Sequence, residues 1–209
     1  MFITVIHKKT DEFVIARFQG RGRGLQFVRG ARHLLKDEDT DVDAILAAWS
    51  VECQGDRVVL LLPPSALFLR ELELPIVDRK RCREILPLEL KGELASDADE
   101  PVYEALPLSG GRVAAIWAKQ SMLLEEIKFL AERGFEPEAI SCAMFNWQSL
   151  LPESGAAAVA LTDGESVAIY QDGKPLFFRG LSRGDERALD ATIAAVELAK
   201  GVTVGKVYP

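Results

Sequence analysis

The sequence predicts a mixed α/β protein built on a strand–strand–strand–helix unit used twice, and three observations carry that prediction. Near the start, β-rich runs at 2–6 and 13–18 lead through the glycine-rich stretch 20–24 into Leu25-Gln26-Phe27-Val28-Arg29-Gly30. Near the end the order recurs: 156–161 turns at Thr162-Asp163-Gly164, 166–170 follows, and Asp172-Gly173 leads into Leu176-Phe177-Phe178-Arg179-Gly180. A helical stretch follows each copy.

Each element has a local reason. Phe2, Thr4 and Ile6 alternate with Ile3 and Val5 in a β-branched and aromatic run, the composition of a strand. Residues 12–19 make a second strand, and the glycine-rich turn sets up a third. Asp41 can cap a helix with Val42, Ile45, Leu46 and Trp49 on one face. Residues 57–62 are apolar after the arginine, as in a strand buried on both faces, and Pro63-Pro64 ends the run. Residues 67–74 read as a strand closed by Pro75.

Asp78 can then cap a long amphipathic helix carrying Cys82, Ile85, Leu86, Leu90 and Leu94, which Pro87 should kink or divide. After a short acidic loop at 97–100, residues 102–108 and 112–119 form a hairpin through Ser109-Gly110-Gly111. Ser121 is expected to cap the clearest helix, with Leu124, Ile127, Phe129 and Leu130 and a stop at Gly134. Residues 138–142 return as a strand and 143–150 as a helix, before the turn-rich break Pro152-Glu153-Ser154-Gly155. In the second unit, 185–200 reads as a helix with Leu189, Ile193, Val196 and Leu198 near one face, ended by Gly201. A last strand follows at 202–208.

Two halves of this kind point to an actin-like core of two ribonuclease-H-type lobes. The expected division is a first lobe at 1–62 plus 137–152, an inserted α+β subdomain at 63–136, and a short or truncated second lobe at 153–209.

Composition narrows the function classes. The chain has 209 residues, 48% of them hydrophobic and 27% charged, ordinary for a globular protein with a sizeable core. A formal net charge of -7 argues against a nucleic-acid partner and against electrostatic docking on anionic lipid. A local basic patch is conceivable at Arg17, Arg21, Arg23, Arg29 and Arg32, although arginines alternating along a strand usually form a solvated rim. Cys53, Cys82 and Cys142 have neither ligand nor redox spacing, which fits a reducing compartment. With no signal region and no apolar run of the ~20 residues a bilayer demands, the chain is expected to be cytosolic and to carry no membrane span.

The stretch from Val59-Leu60-Leu61-Leu62-Pro63-Pro64 through Phe68-Leu69-Arg70-Glu71-Leu72-Glu73-Leu74-Pro75 carries a family resemblance. Arg83-Glu84-Ile85-Leu86-Pro87-Leu88-Glu89-Leu90 and Leu130-Ala131-Glu132-Arg133-Gly134-Phe135-Glu136-Pro137 extend it. Their order resembles the actin-like assembly proteins of bacterial envelope machines: PilM of the pilus, and the cytoplasmic domain of GspL from type II secretion. Only Leu181-Ser182-Arg183-Gly184 stands where PilM-like proteins carry an extra subdomain, and no glycine-rich adenosine loop appears before Pro209. Both departures fit GspL better.

An actin-like ATPase needs acidic and small residues at the first turn of each half, to hold metal and admit phosphate. Here the first turn reads His7-Lys8-Lys9-Thr10-Asp11, without glycine. Asp11 is either a metal ligand or a turn former. The second turn, Thr162, Asp163 and Gly164, keeps an Asp-Gly pair that reads as a vestigial nucleotide site or as a plain hairpin turn. His7 and His33 lack partners at metal-ligand spacing, and no phosphate-loop or nucleophile-elbow motif occurs. Glu71 and Glu73, two apart, read as the exposed face of a strand. The glycines at 20–24 lie between two strands, where no helix N-terminus awaits a phosphate.

No catalytic residue, metal site or cofactor is therefore expected, ATP entering only in the alternatives. The resemblance implies a non-catalytic scaffold on the cytoplasmic face of the bacterial inner membrane. Its partners would be the secretion ATPase, other inner-membrane platform proteins and a second copy in a homodimer. Trp117 and Trp147 are the candidate partner-binding anchors, against a reading of both as core. Two alternatives stand beside it: a PilM-like pilus protein that binds a membrane-partner peptide and ATP, and an actin-like ATPase or kinase.

Overall fold

The computed structural model describes residues 1–22, 24–35, 40–75, 78–91, 100–151, 157–182 and 187–209. Arg23, Leu94, most of the acidic loop, the break at 152–155 and the expected helix start at 185 lie outside the described residues. In chain order the first elements are β1 (Phe2–Lys8), β2 (Glu12–Arg21), β3 (Gly24–Leu34), α1 (Val42–Ser50) and β4 (Arg57–Leu61). Next come β5 (Phe68–Glu73), α2 (Arg79–Glu89), β6 (Pro101–Pro107), β7 (Arg112–Lys119), α3 (Gln120–Ala131) and β8 (Pro137–Ser141). The last are β9 (Ala158–Thr162), β10 (Ser166–Gln171), β11 (Lys174–Gly180), α4 (Ala188–Lys200) and β12 (Val204–Tyr208).

Contacts divide the chain into two compact units, Met1–Pro63 with Ser121–Cys142, and Pro64–Gln120 with Ala143–Pro209. Ser121–Cys142, which spans the expected boundary at 136/137, clusters with Met1–Pro63 in the first unit.

The first unit holds a five-stranded sheet in the order β3-β2-β1-β4-β8. β1, β2 and β3 are antiparallel, while β4 and β8 run parallel to β1, the ribonuclease-H arrangement. Alternation puts Ile6, Phe13, Ile15, Val58 and Leu60 in the core with Leu46 and Trp49 of α1. The expectation that 57–62 is buried on both faces holds only in part, since Val59 and Leu61 are half-buried. Asp41 caps α1, its carboxylate accepting from the backbone N–H groups of Asp43 and Ala44.

α3 ends as expected at Gly134, whose φ of 84° only glycine adopts without strain. The Phe135 N–H donates to Leu130 O and the Gly134 N–H to Ala131 O, the paired bonds of a Schellman stop. Its start differs from expectation. Helix geometry begins at Gln120, directly after β7, with the Gln120 N–H donating to Glu100 O, so Ser121 lies inside the helix rather than at its cap.

The second unit holds two sheets. The antiparallel sheet β5-β7-β6 packs Leu74, Ala105, Val113 and Ala115 against Cys82, Leu86 and Leu90 of the α2 region. α2 is capped by Asp78 as expected, but Pro87 does not divide it: the helix runs through Pro87 and ends at Glu89. Pro87 gives up one backbone hydrogen bond, and only two residues of the helix follow it.

The other sheet, β11-β10-β9-β12, repeats the antiparallel trio and the parallel fourth strand of the first unit. Its core joins Ala158, Ala160, Val167, Ile169 and Leu176 to Val196 of α4. Leu198 is 89% exposed, contrary to expectation, because two residues along a helix turn about 200° and carry it away from Val196. Residues Ala143–Leu150 form a 3₁₀ helix rather than an α-helix. Within it Met144 is buried, its carbonyl accepts from the Tyr170 hydroxyl, and Phe145 meets Phe178 edge-on.

Candidate functional site

The first turn joins β1 to β2 and is closed on itself, the Lys9 N–H donating to Glu12 O at 2.9 Å. The Lys8 ammonium lies 2.6 and 2.7 Å from the two carboxylate oxygens of Glu126 on α3. It also sits 5.4 Å from the centre of the Phe129 ring. Lys8 therefore has an internal counter-ion.

The second turn, between β9 and β10, places Thr162, Asp163 and Gly164 together. Gly164 supplies a φ of 83°, and its N–H donates to the Thr162 hydroxyl, which itself donates to Ser166 O. One Asp163 oxygen accepts from the Glu165 N–H, the Ser166 N–H and the Ser166 hydroxyl, at 3.1, 2.9 and 2.9 Å. This is the geometry of an Asx turn, in which the carboxylate organises its own loop.

Trp117 on β7 is half-buried and stacks on Phe68 of β5 at 5.5 Å and 11°, beside the α2 cluster. Trp147 is half-buried in the 3₁₀ helix. The two residues stand on different elements of the second unit.

The arginine patch is not a free basic face. Arg29 pairs with Glu52 and lies 3.8 Å over Trp49, and Arg32 pairs with Glu12. That bond holds the Glu12 carboxyl below the usual carboxylate range. Arg17 departs furthest from a solvated rim: it grips the buried Asp56 carboxylate and covers the Phe2 ring at 4.2 Å.

Sequence reasoning missed two clusters. Asp56 links Arg17 and Thr4, residues 39 and 52 positions away. Glu71 on β5 accepts from Arg112 on β7 and from Lys200, 129 positions away at the end of α4. Burial pushes the Glu71 carboxyl up, yet the Lys200 and Arg112 hydrogen bonds outweigh it and hold the group below its ordinary value. The two-residue spacing of Glu71 and Glu73 correctly puts them on one face, but only Glu73 is solvated. No local signal marks either cluster.

A groove of about 470 Å³ in the first unit is lined by Cys53, Gly55, Asp56, Gly134 and Glu136 among others. Its Asp56 is taken by Arg17 and Thr4, and its Glu138 by Arg57. Among the described residues no group of three or more His, Cys, Asp or Glu side chains is placed to hold a metal ion. No helix among them is long and apolar enough to cross a membrane.

No family model and no curated protein matches the chain. Solved structures do. PilM in the PilM–PilN type IV pilus biogenesis complex superposes with a TM-score of 0.63 at 18% identity, over 95% of this chain and 69% of that one. The cytoplasmic domain of EpsL, an inner membrane component of the type II secretion system of Vibrio cholerae, gives 0.59 at 14%, over 86% and 71%. A Bacteroides thetaiotaomicron protein of unknown function with an actin-like ATPase fold gives 0.56 at 14%, over 97% and 78%. The chain has the actin-like fold. Two of these neighbours, PilM and the EpsL cytoplasmic domain, are of the kind that the sequence resembles.

Proposed function

We propose that this actin-like chain is a non-catalytic scaffold of a type II secretion inner-membrane platform that recruits the secretion ATPase on the cytoplasmic face. One observation carries the reading. At the two turns where an actin-like nucleotide enzyme would meet phosphate, Lys8 is paired with Glu126 and Asp163 is bound by its own turn. A lysine neutralised by a carboxylate attracts little anion, and an aspartate organising a hairpin is poorly placed to hold metal. A scaffold of this kind acts through its surface. Trp117, stacked on the half-exposed Phe68, and Trp147 are its proposed anchors. The similarity in fold to the EpsL cytoplasmic domain supports the same reading.

The test is a pull-down of the intact protein against a type II secretion ATPase, with Trp117→Ala and Trp147→Ala variants. Specific capture that a tryptophan variant weakens is the expected result. Saturable Mg-ATP binding by calorimetry with release of phosphate would overturn the scaffold reading in favour of an ATPase or kinase.

A second reading has its own support. The match to PilM spans more of this chain than the match to EpsL, 95% against 86%. Under it, the chain is a pilus assembly protein that takes a short peptide of a membrane partner. Binding of such a peptide, with no capture of a secretion ATPase, would decide for it.

A further inference from the structure

We propose that the outer face of α2 is a docking surface for a carboxylate-rich segment of a protein partner. The helix opens with Arg79, Lys80, Arg81, Cys82 and Arg83, four cations in five positions of a chain whose net charge is -7. Of the five only Cys82 is buried, packed with Leu86 and Leu90. Arg79 pairs with Glu104 on β6. Among the described residues, the exposed Lys80, Arg81, Arg83 and Lys91 form no ion pair. With about 3.6 residues per turn, Lys80, Glu84, Pro87 and Lys91 share one exposed stripe, and Arg81 and Leu88 lie in the next. Leu88 is 71% exposed there.

This charge pattern works against the helix that carries it. The first turn holds no acidic residue, so its cations meet the positive end of the helix dipole. Arg79 and Arg83, four residues apart, are like charges side by side. A local rule broken without compensation inside the chain fits an anion supplied from outside. The chemistry favours a protein segment over an anionic bilayer. Arg81 and Arg83 carry planar forks that can hold a carboxylate through two parallel bonds. Glu84 lies within the stripe, between Lys80 and Lys91, where a continuous layer of anionic headgroups would meet it. Spaced carboxylates on a peptide avoid it. Leu88 supplies one apolar contact, not the apolar face that seats a helix in a membrane. With 32 acidic against 25 basic residues overall, the remaining surface steers an acidic partner towards this face. The surface is distinct from the anchors Trp117 and Trp147, and its test needs no secretion ATPase.

The probe is a short fluorescein-labelled peptide of Glu and Ser around a central Leu, titrated with the intact protein by fluorescence anisotropy. The expected result is saturable binding that weakens with added salt and vanishes when Gln replaces each Glu of the peptide. The triple variant Lys80→Glu, Arg81→Glu, Arg83→Glu should weaken it at least about tenfold. Circular dichroism should stay unchanged, because all three side chains are exposed. A control with Arg21→Glu and Lys206→Glu, exposed cations of β2 and β12, should bind within about twofold of the unaltered protein. Phosphatidylcholine vesicles containing phosphatidylglycerol should not sediment the protein. Absence of saturable peptide binding overturns the proposal. So does binding that the triple variant keeps, or that the control loses equally. Sedimentation with the vesicles that the triple variant abolishes would assign the face to a membrane instead.

Discussion

The Asp56 carboxylate receives two hydrogen bonds from the Arg17 guanidinium, Nε at 2.7 Å and Nη2 at 2.9 Å, while the Thr4 hydroxyl donates to it at 2.8 Å. Arg17 and Thr4 face one another across β2 and β1, and Asp56 immediately precedes β4, so one side chain ties three adjacent strands. Removing Asp56 would strand a guanidinium that is only 17% exposed. Asp56→Ala should therefore destabilise the protein by about 3 kcal/mol in urea unfolding, the usual cost of breaking a buried pair. The double variant Arg17→Met, Asp56→Leu should recover most of the loss. Additive losses would show that the pair is not coupled.

The Glu71 cluster predicts a pH dependence. Its folded-state pKa is depressed, so its contribution is present above the ordinary carboxylate pKa and is lost as pH falls through the lower folded value. Stability should decline on acidification below about pH 4.5, and Glu71→Gln should be less stable at neutral pH with a flatter acid limb. Lys200, only 7% exposed, would lose its counter-ion in that variant. Parallel pH curves for the two proteins would contradict this.

Gly134 should not accept a side chain. Alanine there must adopt the left-handed conformation, at ~1–2 kcal/mol. Its Cβ would also stand 3.3 Å from the Ser50 Cβ. A Gly134→Ala variant with an unchanged denaturation midpoint would refute the assignment of this helix stop.

Asp163 separates the two meanings of the second turn. As a hairpin organiser, its replacement by alanine should cost about 1 kcal/mol in stability, with Asp163→Asn retaining most of it. Neither change should alter a calorimetric titration with Mg-ATP. If Asp163→Asn instead abolishes measurable nucleotide binding, the turn is a nucleotide site.

Much of the fold was legible because it is written locally. Strand alternation, the caps at Asp41 and Asp78, the stop at Gly134 and the Asp-Gly turn each depend on neighbours within a few residues, and the structure keeps them. Structure and local pattern part where local rules compete. Ser121 is a good cap residue, but a strand running directly into a helix leaves no room for one. Leu198 lies in an apolar helix, but on its outer side. The candidate site was less legible. The turn at Thr162, Asp163 and Gly164 carries a local signal, whereas the ion pair that neutralises Lys8 joins residues 118 positions apart.

By itself the sequence determined the duplicated α/β plan, its turns and most of its helix ends, because periodicity and capping act over one or two turns of chain. The tertiary structure alone decided which charges meet. Arg17 with Asp56, Lys8 with Glu126 and Glu71 with Lys200 pair because sheet order and helix packing bring distant segments within hydrogen-bond reach. Such pairing is set by topology, and short-range pattern carries no record of it.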